Sequence, residues 1–200
     1  MSIVVEHEKR RREILEKALD VFIDEGFEDV TFQKIADRCG ITRTTLYIYF
    51  KNKREIFNFS IKQLLLVLEG DISDIRKEKG LPRSEQLIRV MTVIFERLEE
   101  NLRLLSVIFN YLLYAAKGDY DPDYRVRRRT VRLRHILSTM LIEGIKTGEF
   151  SPSLNVKDAI ELLYSFLEAA ALRMVVLRRS SVGELKDAMK LAIGRMKGEG

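Results

Sequence analysis

Apolar residues recur every three or four positions along most of the chain, the spacing of helices that bury one face. Ile14, Leu15, Ala18, Leu19 and Phe22 make the first stripe, and Gly26 ends it. Thr31 caps a second helix that carries Ile35 and Ala36, with Gly40 as its stop. Thr42 caps a third, short helix through about Tyr49. Asn52 caps a long fourth helix from about Lys53 toward Lys79, ended by "GLP". Ser84 starts a fifth that runs to about Glu100, and Asn101 to Lys117 reads as a sixth. After the turn "KGDYDPDY", a seventh helix runs from about Asp123 to Lys146, and "TGEFSPSLN" breaks the chain again. Asn155 opens an eighth helix to about Arg179, and a ninth carries Leu185, Ala188, Met189, Ala192 and Met196 on one stripe. No alternating pattern of a strand stands out. The expected fold is therefore all-α, with about nine helices. Short helices and tight turns give way to long apolar helices near residue 50. That change divides the chain into an N-terminal three-helix bundle, 1–52, and a larger C-terminal helical domain, 53–200.

Composition changes this picture little. Hydrophobic residues make 46% of the 200 and charged residues 32%, enough apolar side chains for a sizeable core. The net charge of +5 matters less than its placement. Between Arg38 and Arg54 stand Arg38, Arg43, Lys51, Lys53 and Arg54 with no acidic residue, and "KRRR" lies at Lys9 to Arg12. Such a surface is either a solvated face or one presented to a polyanion. Cys39 is the only cysteine, so no disulfide forms within the chain, which suits a reducing cytoplasm. The start "MSIVVEHEKRRR" is charged too early for a signal peptide. The stretch Ala159 to Leu177 contains Glu161, Glu168 and Arg173, which argues against a membrane span.

The second and third helices, joined at Gly40, have the layout of a helix-turn-helix. The third helix gives up helix propensity for hydroxyls and aromatics in "GITRTTLYIYF", Gly40 to Phe50. Those residue types suit a nucleic-acid backbone. Threonine hydroxyls and helix N-terminal amides can meet phosphates. Arg43 can reach a guanine edge or a phosphate, and Tyr47 and Tyr49 can donate to phosphates while their rings cover sugar. Lys53 opens the next helix, where a phosphate is also welcome. Leu46 and Phe50 are read as core anchors. The structural alternative is that Thr42 only caps and Tyr47 only packs.

The segment "GFEDVTFQKIADRCGITRTTLYIYFKNKREIF", Gly26 to Phe57, resembles the DNA-binding region of the TetR (tetracycline repressor) family of transcriptional regulators. The matching positions are Gly26, Phe27, Thr31, Ile35, Ala36, Gly40, Leu46, Tyr47, Tyr49, Phe50, Lys53 and Glu55. Phe32, Cys39 and Ile48 depart from the usual pattern. The resemblance implies an all-helical homodimer that binds double-stranded DNA at a palindromic operator, represses, and leaves DNA when a small molecule enters the C-terminal domain. Carried over residue by residue, it implies DNA contacts from Thr42, Arg43, Thr44, Tyr47, Tyr49 and Lys53.

The eighth helix is apolar almost all round, with Val156, Ile160, Leu163, Leu167, Ala170, Met174 and Leu177 on one stripe and Ala159, Leu162, Phe166 and Ala169 on another. One stripe packs on its own domain and the other needs cover, from a second copy or from a monomer's core. The expected homodimer interface comprises Leu163, Leu167, Ala170, Met174, Leu185 and Met189. Bulky side chains on the fourth to seventh helices exceed what a dimer seam requires. They either fill a solid core or line a mostly apolar pocket. The residues assigned to that pocket are Met91, Phe95, Ser106, Phe109, Asn110, Tyr111, Tyr114, Leu137 and Met140, and a hydrophobic or aromatic effector should fit it. The arginines from Arg125 to Arg134 read as a solvated or dimer-rim face, or as a site for an anionic ligand.

Catalysis is not expected. His7, His135 and Cys39 lie far apart in sequence, and no nucleophile elbow, phosphate loop, dinucleotide-binding glycine pattern or zinc-ligand spacing is present. No cofactor or metal is implied. The rival readings are a helical protein-interaction dimer and an architectural DNA-binding protein without an effector.

Overall fold

The computed structural model describes residues 3–78, 80–116, 123–178 and 181–198, and the side chains of 3, 4, 63, 64, 114–116 and 123–130 lie outside the description. Among the described residues the regular structure is helical: α1 (Ile3–Asp29), α2 (Phe32–Cys39), α3 (Arg43–Tyr49), α4 (Lys53–Lys77), α5 (Arg83–Glu100), α6 (Leu102–Ala116), α7 (Asp123–Lys146), α8 (Val156–Val175) and α9 (Gly183–Arg195). A single antiparallel bridge pairs Phe150 with Lys197.

Local chemistry sets most helix ends. Thr31 accepts a hydrogen bond from the Lys34 amide at 3.2 Å, and Asn155 accepts from the amides of Lys157 and Asp158. At the start of α4, Asn52 accepts from the Glu55 amide at 2.9 Å while Glu55 reaches back to the Lys51 amide at 2.6 Å. Gly26 interrupts α1 with φ 81° and ψ 163°, and a short helical stretch continues beyond it to Asp29. Helices α5 and α9 lack such local help: Pro82 and Val182 precede them and offer no side-chain cap. Distant carboxylates serve instead. Glu149 accepts from the Arg83 and Ser84 amides at 2.9 and 3.1 Å, and Glu99 accepts from the Val182 amide at 3.2 Å and from the Lys186 ammonium at 2.6 Å.

The described residues form two compact units. The first comprises Met1–Val67 and Ser106–Tyr114, the second Leu68–Leu105 and Ala115–Gly200. The first unit packs Ile14, Ala18, Phe22, Ile35, Ala36, Leu46, Phe50, Ile56 and Phe57 in one core. Within it the rings of Phe22, Phe27, Phe57 and Tyr111 meet at centroid distances of 4.5 to 5.9 Å. The second unit has its own core, which includes Leu87, Met91, Phe95, Leu137, Met140, Phe150, Leu163, Ala170 and Met189. Phe150 lies so close to Gly144 that a Cβ there would meet its ring.

Candidate nucleic-acid interface

The turn between α2 and α3 is made by Gly40, which adopts the left-handed conformation with φ 67° and ψ 35°. Its amide donates to the Asp37 carbonyl at 3.1 Å, and the Ile41 amide donates to the Ala36 carbonyl at 3.0 Å. This paired closure needs a residue that tolerates positive φ, and glycine does so without strain. Thr42 then starts α3, accepting from the Thr45 amide at 3.1 Å, with the two threonine hydroxyls hydrogen-bonded to each other at 2.8 Å. Leu46 and Phe50 anchor the helix from beneath, and both are buried. Cys39 is buried beneath the same turn, where desolvation pushes its thiol up although Lys17 and Arg10 pull it down. Its place is structural.

What remains outside is one face of α3: Arg43, Thr44, Tyr47 and Ile48, all exposed. These positions lie one and four residues apart, so they form a continuous strip. The Arg43 guanidinium donates to the Tyr47 hydroxyl at 3.1 Å and stands 5.6 Å from its ring centre. Phe32 of α2 packs on the same ring at 4.6 Å. The departure at Phe32 therefore supplies a wall that orients Tyr47, and Tyr47 in turn orients Arg43. Tyr49 points elsewhere, half-buried, with its ring stacked on His7 of α1 at 4.6 Å. The sequence reading assigned no role to Phe32 or His7 at this face. Neither pairing follows a helical spacing, so nothing in the periodicity marks it.

Lys53 turns toward the end of α1. Its ammonium donates to the carbonyls of Phe27, Glu28 and Val30 at 2.9, 2.8 and 2.8 Å. An ammonium has three N–H groups, so all are occupied and none is left for a phosphate. Desolvation lowers its pKa, against the pull of Asp29 and Glu28. Lys53 closes the end of α1.

The interface residues expected on α8 and α9 lie on the inward side of those helices. Leu163, Leu167, Ala170, Met174, Leu185 and Met189 are all buried within the second unit of a single protomer. On α8 the outward side chains are Leu162 and Leu172, which are exposed, and Phe166 and Ala169, which are half-buried, with Val176 exposed just beyond the helix; Ala159 of the same expected stripe is buried, and Leu177 of the first stripe is exposed. Leu191 of α9 is exposed as well.

The residues assigned to an effector pocket fall into both units. Met91, Phe95, Leu137 and Met140 come together in the core of the second. Ser106, Phe109, Asn110 and Tyr111 belong to the first, where Tyr111 is part of the aromatic cluster and Asn110 is exposed. The side chain of Tyr114 lies outside the described residues, as do those of Arg125, Arg127, Arg128 and Arg129. Of the remaining arginines in that run, Arg132 pairs with Glu69 at 3.1 Å, and Arg134 pairs with Glu161 while lying 4.1 Å from the Tyr164 ring centre. Among the described residues no helix is long and apolar enough to cross a membrane.

Known proteins resemble both this face and the whole chain. Residues 14–58, which hold α2, α3 and the start of α4, match the family described as bacterial regulatory proteins, tetR family. The HTH-type transcriptional regulator SrpR of Pseudomonas putida is 32% identical over 174 residues, covering 76% of this chain and 79% of that protein. The fatty acid metabolism regulator protein of Bacillus subtilis (strain 168) is 26% identical, covering 78% of each. Among solved structures, the transcriptional regulator FadR from Bacillus subtilis in complex with stearoyl-CoA superposes with a TM-score of 0.74 at 21% identity, over 93% of this chain and 97% of that one. A helix-turn-helix with an exposed, acid-free face, on a chain that shares most of its length with these regulators, belongs to the TetR family of DNA-binding transcriptional regulators.

Proposed function

We propose that the chain is a repressor that binds a two-fold symmetric operator as a homodimer and releases it when a small hydrophobic effector binds. The observation that carries this is the exposed strip Arg43, Thr44, Tyr47 and Ile48 on a helix anchored by buried Leu46 and Phe50. A helix of this length reads one half-site, so a palindrome requires two copies. The outward stripe Leu162, Phe166, Ala169, Leu172 and Val176, with Leu191, gives a second copy an apolar surface to cover.

A long acyl ligand suits the effector role best. The Bacillus subtilis relative is named for fatty acid metabolism, and the FadR structure holds stearoyl-CoA. In this chain Met91, Phe95, Leu137 and Met140 would supply the apolar wall. They pack as a core between α5 and α7, so a ligand would enter by parting those helices. The flexible thioethers of the two methionines ease that movement. The chemistry is binding alone, without catalysis. Release of DNA follows only if the ligand prefers the conformation that misplaces the recognition helices.

The test is a titration of labelled operator complex with stearoyl-CoA, a free long-chain fatty acid and an aromatic acid. Release by the acyl ligand at micromolar concentration supports the reading. Operator binding that no such ligand weakens would leave an architectural DNA-binding protein.

A further inference from the structure

We infer that Ile48 is a specificity-determining residue, reading thymine in the operator by packing its side chain on the C5 methyl group in the major groove. The inference rests on α3 being the helix that enters that groove.

Ile48 is 70% exposed, the most exposed large apolar side chain among the described residues. It contributes nothing to the core, because Leu46 and Phe50 already anchor α3. It brings no gain in helix formation either, since a branched Cβ is a middling choice in a helix of seven residues. Packing and helix formation thus give no reason for an isoleucine here. Its neighbours define what could cover it. Ile48 lies one turn beyond Thr44 and next to Tyr47, on the same strip as Arg43. The surrounding window from Arg38 to Arg54 holds no acidic residue, and Arg43 and Lys51 within it are exposed, so the matching surface is a polyanion.

On the floor of the major groove the thymine methyl is the one apolar feature; guanine, adenine and cytosine present acceptors and donors. An isoleucine placed there gains by covering that methyl. Against cytosine it would cover an amino group and leave its donor without a partner. The stiffness of the branched side chain suits the role, because few rotamers are lost on contact.

The experiment begins with the site that the wild-type protein enriches from random duplexes. Each thymine in one half-site is then replaced singly by deoxyuridine, which removes only the methyl, and affinity is measured for the wild type and for Ile48→Ala at one salt concentration. One replacement should weaken the wild type by about fourfold, the value of one buried methyl, and leave Ile48→Ala unaffected. Ile48→Asn should shift the enriched base at that same position and leave the others in place. An unchanged melting temperature verifies that both variants fold. The inference is overturned if Ile48→Ala keeps wild-type affinity and preference, or if the uracil effect is equal in both proteins. An enriched site that is lost on Arg43→Ala but indifferent to Ile48→Ala would overturn the role of Ile48 alone. The absence of any enriched site would overturn the recognition role of α3 as well.

Discussion

The ammonium of Lys53 lies 2.9 Å from the carbonyl oxygen of Phe27 and 5.0 Å from the centre of the Phe27 ring. Two further carbonyls, of Glu28 and Val30, complete its donors. The last carbonyls of a helix have no partner within it and carry the negative end of its dipole, so a cation there is stabilising. One residue thus ties the start of α4 to the end of α1, around the helix-turn-helix.

Replacing Lys53 by Met should therefore lower stability by about 1–3 kcal/mol, the range for losing hydrogen bonds to a charged group. It should leave the slope of log affinity against log salt unchanged, because no phosphate contact is lost. Thermal melting and binding at several salt concentrations check both halves. A slope reduced by about one, with melting unaffected, would return Lys53 to the DNA.

Glu149 governs a second junction. Burial pushes its carboxyl up, but hydrogen bonds from Arg83 and Ser84 outweigh that and hold it below the usual carboxylate range. A depressed folded-state pKa gives stability that is present above the unfolded value of about 4.3 and is lost as pH falls through the folded value. Glu149→Gln should cost about 1 kcal/mol at neutral pH, as for a lost helix cap. It should also flatten the decline of stability below about pH 4. Chemical denaturation at neutral pH and across the acid range reads both effects, and parallel acid limbs for the two proteins would remove Glu149 from this role.

The inward and outward sides of α8 predict different outcomes on substitution. A glutamate at Leu163, which is fully buried, should unfold the second unit, since an unpaired buried charge is not tolerated. A glutamate at Leu172, on the exposed stripe, should leave the helical signal intact and shift sedimentation from dimer to monomer. Equal helical content and equal mass in Leu172→Glu and the wild type would rule out that stripe as the interface.

Local chemistry was legible in the sequence because it acts over three or four residues. Thr31, Thr42, Asn52 and Asn155 cap the helices they were expected to cap, and Leu46 and Phe50 are buried. What failed depended on contacts distant in sequence. Lys53 reaches carbonyls 23 to 26 residues away, and Glu149 caps a helix that begins 66 residues earlier. Neither leaves a periodic trace. On α8 both apolar stripes were visible, but only packing against α5, α7 and α9 decides which faces inward. Arg43, Thr44 and Tyr47 stood out by their residue types, and the helix leaves all three exposed. Phe32 was missed because its role lies in a contact with Tyr47, on the next helix.

The central claim, that the exposed strip of α3 reads a two-fold operator, is tested most directly by selection from a random duplex library. The wild type should enrich an inverted repeat. Arg43→Ala, with an unchanged melting temperature, should bind that site more weakly by about 1–3 kcal/mol and lose preference at one base pair per half-site. A library that yields no inverted repeat, or a folded Arg43→Ala protein that enriches the same site with undiminished affinity, would contradict the account.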